Sequence, residues 1–287
     1  MKKLFILFLL CFIPSISFAS EIFFSTDKNV FFQNEEFLAQ VFLNTENITI
    51  NALEGIVAFP AEFLELKEIR DGNSSVNFWI ERPQSVAKGE VSFSGITAGG
   101  FSGPKIFLFG MVFQTKKMGN SSITFKNAQV LQNDGIGTKL SAKMIPFSFS
   151  ISSKTTSDTK SGIPVIVDSD IPENFSPSVG SDPAIFDGKY FLVFATQDKG
   201  SGIDHYEIRE ELNSEFIIAE SPYLLQNQKL DEKIFVKAVD KNGNERIVVI
   251  YPPNWQPWYK NNWIFGILIL IILFVSYVVR KFYGKKF

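Results

Sequence analysis

Cysteine is almost absent from this 287-residue chain: there is one, Cys11, near its start. A single thiol supports neither a disulfide framework nor a cysteine metal site. That pattern fits an exported protein whose cores are large enough to need no covalent staple. Histidine also occurs once, as His205. One imidazole without cysteine or a second histidine makes no zinc site, and no acid–base partner is evident for it, so His205 reads as structural. A Ser-His-Asp set, a phosphate-cradling glycine loop and metal-ligand spacing are all missing. Excess charge of one sign is missing too, since the formal net charge is −2. There is no basic stripe for nucleic acid and no acidic solvating tail. No catalytic residue, no metal ligand and no enzyme activity is assigned.

What is present is phenylalanine, 31 of them, which suits the pleated, half-buried surfaces of β cores. Gly89 to Leu140 sets the pattern. Short apolar runs alternate there with Gly, Ser and Asn turns, as in an antiparallel β-sandwich. Ile106 to Phe113 is a nearly continuous apolar run between turn signals, which predicts a strand buried on both faces.

Both ends carry segments outside the fold. Residues 1–19 have Lys2 and Lys3, an apolar run from Leu4 to Ile13, Pro14, and Ser17-Phe18-Ala19 before a cleavage point, the form of a secretory signal peptide. A lipoprotein reading at Cys11 is weaker, because Leu10 stands where a small residue is needed. Trp263 to Val279 is an uncharged run of 17 residues. As a helix it would span roughly 26 Å, enough for a hydrocarbon core. Trp255, Trp258, Tyr259 and Trp263 gather on one side as membrane-interface aromatics, and Arg280, Lys281, Lys285 and Lys286 follow as a basic anchor. That asymmetry puts the 280–287 tail in the cytoplasm and the preceding domains outside.

The first domain is expected over 20–151. Strands are predicted at Ile22–Phe24, Asn29–Phe32, Phe37–Leu43, Ile48–Phe59 and Phe63–Leu66. Val76–Ile80 and Val91–Phe93 should pair as a hairpin through a polar loop containing Pro83. Ile123–Phe125 and Gln129–Leu131 should bracket a turn, and Phe147, Phe149 and Ile151 should share one face. These residues resemble a cohesin domain. The similar parts are Ile56 to Leu66, Gly89-Glu90-Val91-Ser92-Phe93, Ile106 to Phe113, Gly119 to Phe125 and Asn133-Asp134-Gly135, in the family's order and spacing. The resemblance implies a jelly-roll β-sandwich that holds a calcium-loaded dockerin module on one sheet face. Phe59-Pro60 departs from the family, which has an acid before a proline in another register. By register the resemblance puts an acidic partner-contact position at Glu54, against its reading as a solvated strand residue.

Residues 152–162 read as a flexible linker. A second domain is expected over 163–251, with strands at Tyr190–Ala195, Ile203–Ile208, Ile234–Asp240 and Arg246–Ile250. Ile203, His205 and Glu207 would lie on one face, and Tyr206 and Ile208 on the other. Ala238-Val239-Asp240-Lys241-Asn242-Gly243-Asn244 and Gly202 to Ile208 resemble a bacterial immunoglobulin-like or fibronectin-III-like domain, which implies a spacer. Residues 252–262 form a juxtamembrane stretch stiffened by Pro252, Pro253 and Pro257.

The architecture expected is all-β: two β-sandwich domains and one C-terminal transmembrane helix. The function expected is non-catalytic, a membrane-anchored surface protein that binds an extracellular partner such as a dockerin-like protein. No cofactor is assigned, and calcium would arrive through the partner. A carbohydrate-binding module for polysaccharide and a structural adhesin or stalk stay open as alternatives. Trp79 is the aromatic that a sugar platform would use, against a core position. Asp71-Gly72-Asn73 and Asn133-Asp134-Gly135 read as turns. Asp198, Asp204 and Asp240 would offer oxygen ligands to calcium if their loops share one end of the second domain.

Overall fold

The computed structural model describes residues 20–153, 163, 167–210, 215–253 and 262–283, with side chains in the last stretch described at 265–281. The expected signal peptide, linker positions 154–162, Trp255, Trp258, Tyr259, Lys285 and Lys286 lie outside the described residues, as does the Trp263 side chain.

The first unit is built from β1 (Glu21–Ser25), β2 (Val30–Phe32), β3 (Glu36–Asn44), β4 (Ile50–Ala58), β5 (Leu64–Arg70), β6 (Phe78–Ala87), β7 (Glu90–Phe101), β8 (Ile106–Thr115), β9 (Gly119–Gln132), β10 (Lys139–Leu140), β11 (Lys143–Met144) and β12 (Phe147–Ser152). One sheet runs β11-β1-β3-β8-β5, the other β2-β12-β9-β4-β7-β6 with β10 on β9. Inward side chains of both sheets form one core, in which Phe31, Phe93, Phe109 and Phe113 are fully buried. Period-two patterning explains β3, where Phe37, Ala39, Val41 and Leu43 face in. The run in β8 is apolar throughout because that strand lies between β3 and β5, and every residue from Leu108 to Phe113 is buried.

Two local expectations fail. The hairpin of β6 and β7 forms, but Pro83 lies within β6 rather than in a loop. A proline cannot donate to a ladder, and β6 is the sheet's outer strand, with register shifts at Trp79/Glu81 and Glu81/Gln84. The expected turn between Phe125 and Gln129 is instead a bulge inside the 14-residue β9. Asn127 there has φ 53°, and Lys126 and Gln129 oppose Ile56 and Glu54.

The second unit has its own core. Its strands are β13 (Ser178–Asp182), β14 (Ile185–Val193), β15 (Ile203–Arg209), β16 (Ile217–Ile218), β17 (Tyr223–Leu224), β18 (Ile234–Asp240) and β19 (Glu245–Ile250). They form the sheets β13-β14-β17 and β16-β15-β18-β19. Phe175, Leu192, Phe194, Ile203, Ile208 and Val236 are among the side chains that meet between them. A register shift between Ile203 and His205 overturns the simple alternation expected for β15. Ile203 joins Tyr206 and Ile208 in the core, while His205 stays half-buried outside it. Gly243, at φ 85°, makes the β18–β19 turn, closed by Gly243 N–H donating to Asp240 O at 3.1 Å.

One helix, α1 (Asn262–Tyr283), covers 22 residues and carries Arg280 and Lys281 in its last turn. It overlaps the expected span at 263–279. Among the described residues no helix is long and apolar enough to cross a membrane.

Candidate functional site

Glu54 lies in the middle of β4, where Ser94 of β7 and Gln129 of β9 flank it. Its neighbours in the strand, Leu53 and Gly55, are buried, so the alternation of the pleat leaves Glu54 exposed on the outer face. Among the described residues, no cation pairs with its carboxylate, whereas nearby Lys126 is held by Glu90 at 2.8 Å. Ile96, opposite Ala52, is 39% exposed on this face. The surface is thus a sheet face of mixed polar and apolar character. No aromatic row crosses it: among the described residues from 20 to 153, no Phe, Tyr or Trp is exposed. Trp79 packs against the core and meets the edge of Phe109 at 6.3 Å.

The second notable place is the junction between the two units. The Asp71 carboxylate, 5% exposed, accepts from Arg82 Nη1 at 2.7 Å and from Lys241 Nζ at 2.6 Å. Lys241 Nζ also donates to Ile69 O at 2.9 Å. Gln197 Nε2 donates to Val76 O at 2.7 Å and Ser74 O at 3.1 Å. Asn73 N–H reaches Asp198 O at 3.3 Å. The backbones touch: a Cβ on Gly72 would lie 2.2 Å from Gly200 O. Asp71-Gly72-Asn73 is therefore a turn, as expected, and also the first unit's half of a contact that its sequence did not announce. A cleft of about 330 Å³ opens beside it, lined by Trp79 and Arg82 on one side and Gln197, His205 and Tyr206 on the other. The Tyr206 hydroxyl accepts from Thr196 N–H at 2.8 Å, and burial holds its pKa above the usual phenol value.

Three carboxylates converge next to this junction. Asp168, Asp198 and Asp240 each present an oxygen within 4.8 Å of the others. Asp204, expected in this group, is not in it. It lies exposed on β15 and accepts from His205 Nδ1 at 2.7 Å. Asp168 takes the third place. Asp198 Oδ2 accepts from Gly202 N–H at 2.9 Å and Gly200 N–H at 3.1 Å. Asp240 Oδ1 accepts from Asn244 N–H at 2.8 Å and Asn242 N–H at 2.9 Å. Burial, together with the charges of Asp168 and Asp240, pushes the Asp198 carboxyl up. Burial also acts on Asp168, but hydrogen bonds from Ser201 and Asp170 outweigh it and hold that carboxyl low. An all-oxygen set of this kind is suited to a hard cation. His205, with Glu207 Oε1 at 3.2 Å from its other nitrogen, is an ion-paired strand residue. In the 133–138 turn, Asp134 Oδ1 accepts three backbone N–H groups, of Ile136, Gly137 and Thr138.

No family model matches the chain, and no curated protein does. Several solved structures are similar. A cohesin module from a Clostridium perfringens family 33 glycoside hydrolase is 16% identical, with 47% of this chain and 98% of that one covered, at a TM-score of 0.41. A type I cohesin from Pseudobacteroides cellulosolvens is 16% identical over 48% of this chain and 97% of its own, at 0.41. A non-cellulosomal cohesin from the archaeon Archaeoglobus fulgidus is 16% identical over 46% and 92%, at 0.38. At these scores the likeness decides neither fold nor function.

Proposed function

We propose that this chain is a non-catalytic surface protein whose first domain docks a partner protein on the outer face of the β6-β7-β4-β9 sheet around Glu54. The observation that carries the reading is the character of that face. It is mixed, with an unpaired acid at its centre and no exposed aromatic among the described residues. Polysaccharide is commonly gripped by stacking on aromatic faces, whereas a protein surface is met by mixed polar and apolar area. The cohesin resemblance of the sequence names the partner class as dockerin-like, carrying its own calcium. Two sheets that share one core support the fold half of that resemblance.

The second domain is the spacer. Its division into three and four strands supports the immunoglobulin-like or fibronectin-III-like reading. The C-terminal segment is the tether, with the preceding domains outside the cell and the basic tail inside. This rests on the uncharged run Trp263–Val279, on Arg280 and Lys281 after it, and on the exposure of almost every described side chain of α1.

The test uses the full chain, solubilised in detergent and immobilised, against the source cell's secreted and envelope proteins, with Glu54→Arg in parallel. A captured protein that is lost with Glu54→Arg and on chelation supports dockerin-type docking. Capture indifferent to chelation keeps the docking face and removes the dockerin mechanism. Retention on polysaccharide in place of protein overturns the reading. Anchoring is checked separately, by carbonate-resistant pelleting with membranes that is lost when the chain stops before residue 262.

A further inference from the structure

We propose that Asp168, Asp198 and Asp240, with the hydroxyl of Ser201, form a calcium site that fixes the second domain's junction loops against the first domain. The proposal stands independently of what the Glu54 face binds.

The carboxylates alone would not carry it. Acidic side chains often cluster, and the amides of Gly200, Gly202, Asn242 and Asn244 explain part of this arrangement. Ser201 is the separate observation. The residue is 6% exposed, and its Oγ is buried without a hydrogen-bond partner among the described residues. It lies against Asp168, to whose Oδ2 its backbone N–H donates at 2.7 Å. A buried hydroxyl normally finds a partner. Here the unused oxygen belongs to the residue bonded to Asp168, where a cation drawn to the three carboxylates would use it.

Charge points the same way. Asp198 and Asp240 are 3% and 2% exposed, and buried carboxylates need pairing or a metal. The cations nearby are engaged elsewhere. Lys241 and Arg82 hold Asp71, and Lys199 holds Glu173. Among the described residues, no Lys, Arg or His pairs with any of the three acids. The loop also closes tightly on Asp168, since a Cβ on Gly200 would lie 2.3 Å from its Oδ2. Only glycine at 200 lets the backbone approach the carboxylate this closely.

All donors are hard oxygens, and there is no nitrogen or sulfur among them. That excludes the preferences of zinc and copper and suits calcium, which takes 6–8 oxygens in flexible geometry. Backbone carbonyls and water would complete the shell. The structural effect follows from sequence adjacency. Asp198 follows Gln197, and Asp240 precedes Lys241, two residues whose side chains bond to the first unit. A cation drawing Asp198 and Asp240 together therefore holds both contacts in register.

The experiment is calorimetric titration of calcium chloride into the chelator-stripped full chain in detergent. Thermal denaturation and small-angle scattering accompany it. One saturable calcium ion per chain is expected, in the range of about 10⁻⁴–10⁻³ M typical of extracellular modules, with a rise in melting temperature. Asp168→Asn should weaken binding at least about tenfold. Asp168 is only half-buried, so this variant tests ligation where Asp240→Asn could simply unfold the loop. Ser201→Ala should weaken it by less, and Asp204→Asn should leave it unchanged. Saturable magnesium uptake with no calcium preference would overturn the calcium assignment. No saturable uptake, or Asp168→Asn binding as well as the parent chain, would overturn the site.

Discussion

Lys241 of the second unit puts its ammonium 2.6 Å from Asp71 Oδ1 in the first, and that carboxylate is 5% exposed. Arg82 takes the other oxygen at 2.7 Å. The two cations come from different units, so the acid is satisfied only while the units are together. Lys241→Met removes one cation and two hydrogen bonds. The expected cost is about 2 kcal/mol, with a larger spread of interdomain distances. Thermal denaturation and small-angle scattering of the variant read the two effects. A variant as compact and as stable as the parent chain would show that this pair does not hold the junction.

Gly72→Ala tests the same contact by steric means. The new Cβ would fall 2.2 Å from Gly200 O, and backbone cannot swing aside as a flexible side chain can. Overpacking of this kind costs about 1–3 kcal/mol. Hydrogen exchange should quicken at Asn73 and Gly202 while β8 stays protected. Exchange unchanged at both would mean that the gap opens without resistance.

His205 gives a pH dependence whose sign is fixed by its neighbours. Hydrogen bonding to Asp204 raises its pKa above the ordinary imidazole value against the opposing effect of burial, and hydrogen bonding to Glu207 adds to the rise. The folded state therefore binds the proton more tightly than the unfolded chain. The stabilisation is complete below about pH 6.5, the unfolded value, and is lost as pH rises through the folded value. His205→Gln should flatten melting temperature between pH 6 and 8. NMR of the imidazole checks the shift directly, and a titration at or below the free-histidine value would contradict it.

Asp134 behaves in the opposite sense. A hydrogen bond from the Thr138 hydroxyl, with backbone N–H donors from Thr138, Ile136 and Gly137, lowers its pKa to about 2. Its contribution to the turn is present above the ordinary carboxylate range and disappears as pH falls through about 2. Carboxyl NMR should find it among the last acids to protonate. Asp134→Ala should loosen residues 133–138 with little change in global stability, since the group is on the surface.

Phe31→Ala tests the core. Phe31 is 0% exposed and stacks on Phe37 at 4.0 Å, although β2, which carries it, has only three residues. The expected loss is about 3–5 kcal/mol, read from urea denaturation of the full chain. A loss below about 1 kcal/mol would place β2 outside the cooperative core.

Most strands could be read from the sequence because their side chains report burial locally. Phe37, Ala39, Val41 and Leu43 alternate, and Ile106 to Phe113 do not, and each pattern matches the strand's place in its sheet. Pro83 and Asn127 misled because each is a turn signal in isolation. A sheet edge tolerates the first, and a bulge uses the second, and neither condition is local. The acidic group was half legible. Asp198 stands in a recognisable loop and Asp240 at the end of a recognisable strand, just before its turn, but Asp168 lies 30 positions before Asp198 in a stretch without apolar period. Asp204 looked equivalent until the register of β15 turned it outward. The Asp71–Lys241 pair is separated by 170 positions, and nothing in either segment points to the other.

The misplaced proline has one more consequence. β6 is an outermost strand, and Pro83 together with three register shifts breaks its row of free backbone groups. At the other end of that sheet is β2, with three residues. The facing sheet ends in β11, of two residues, and in β5, which carries Glu65, Lys67, Glu68 and Arg70. Each border is thus interrupted, short or charged, the devices by which β proteins avoid templating their own polymerisation. Copies of the first unit brought together at high concentration would find no long, regular border to extend, and its sheets would stay finite.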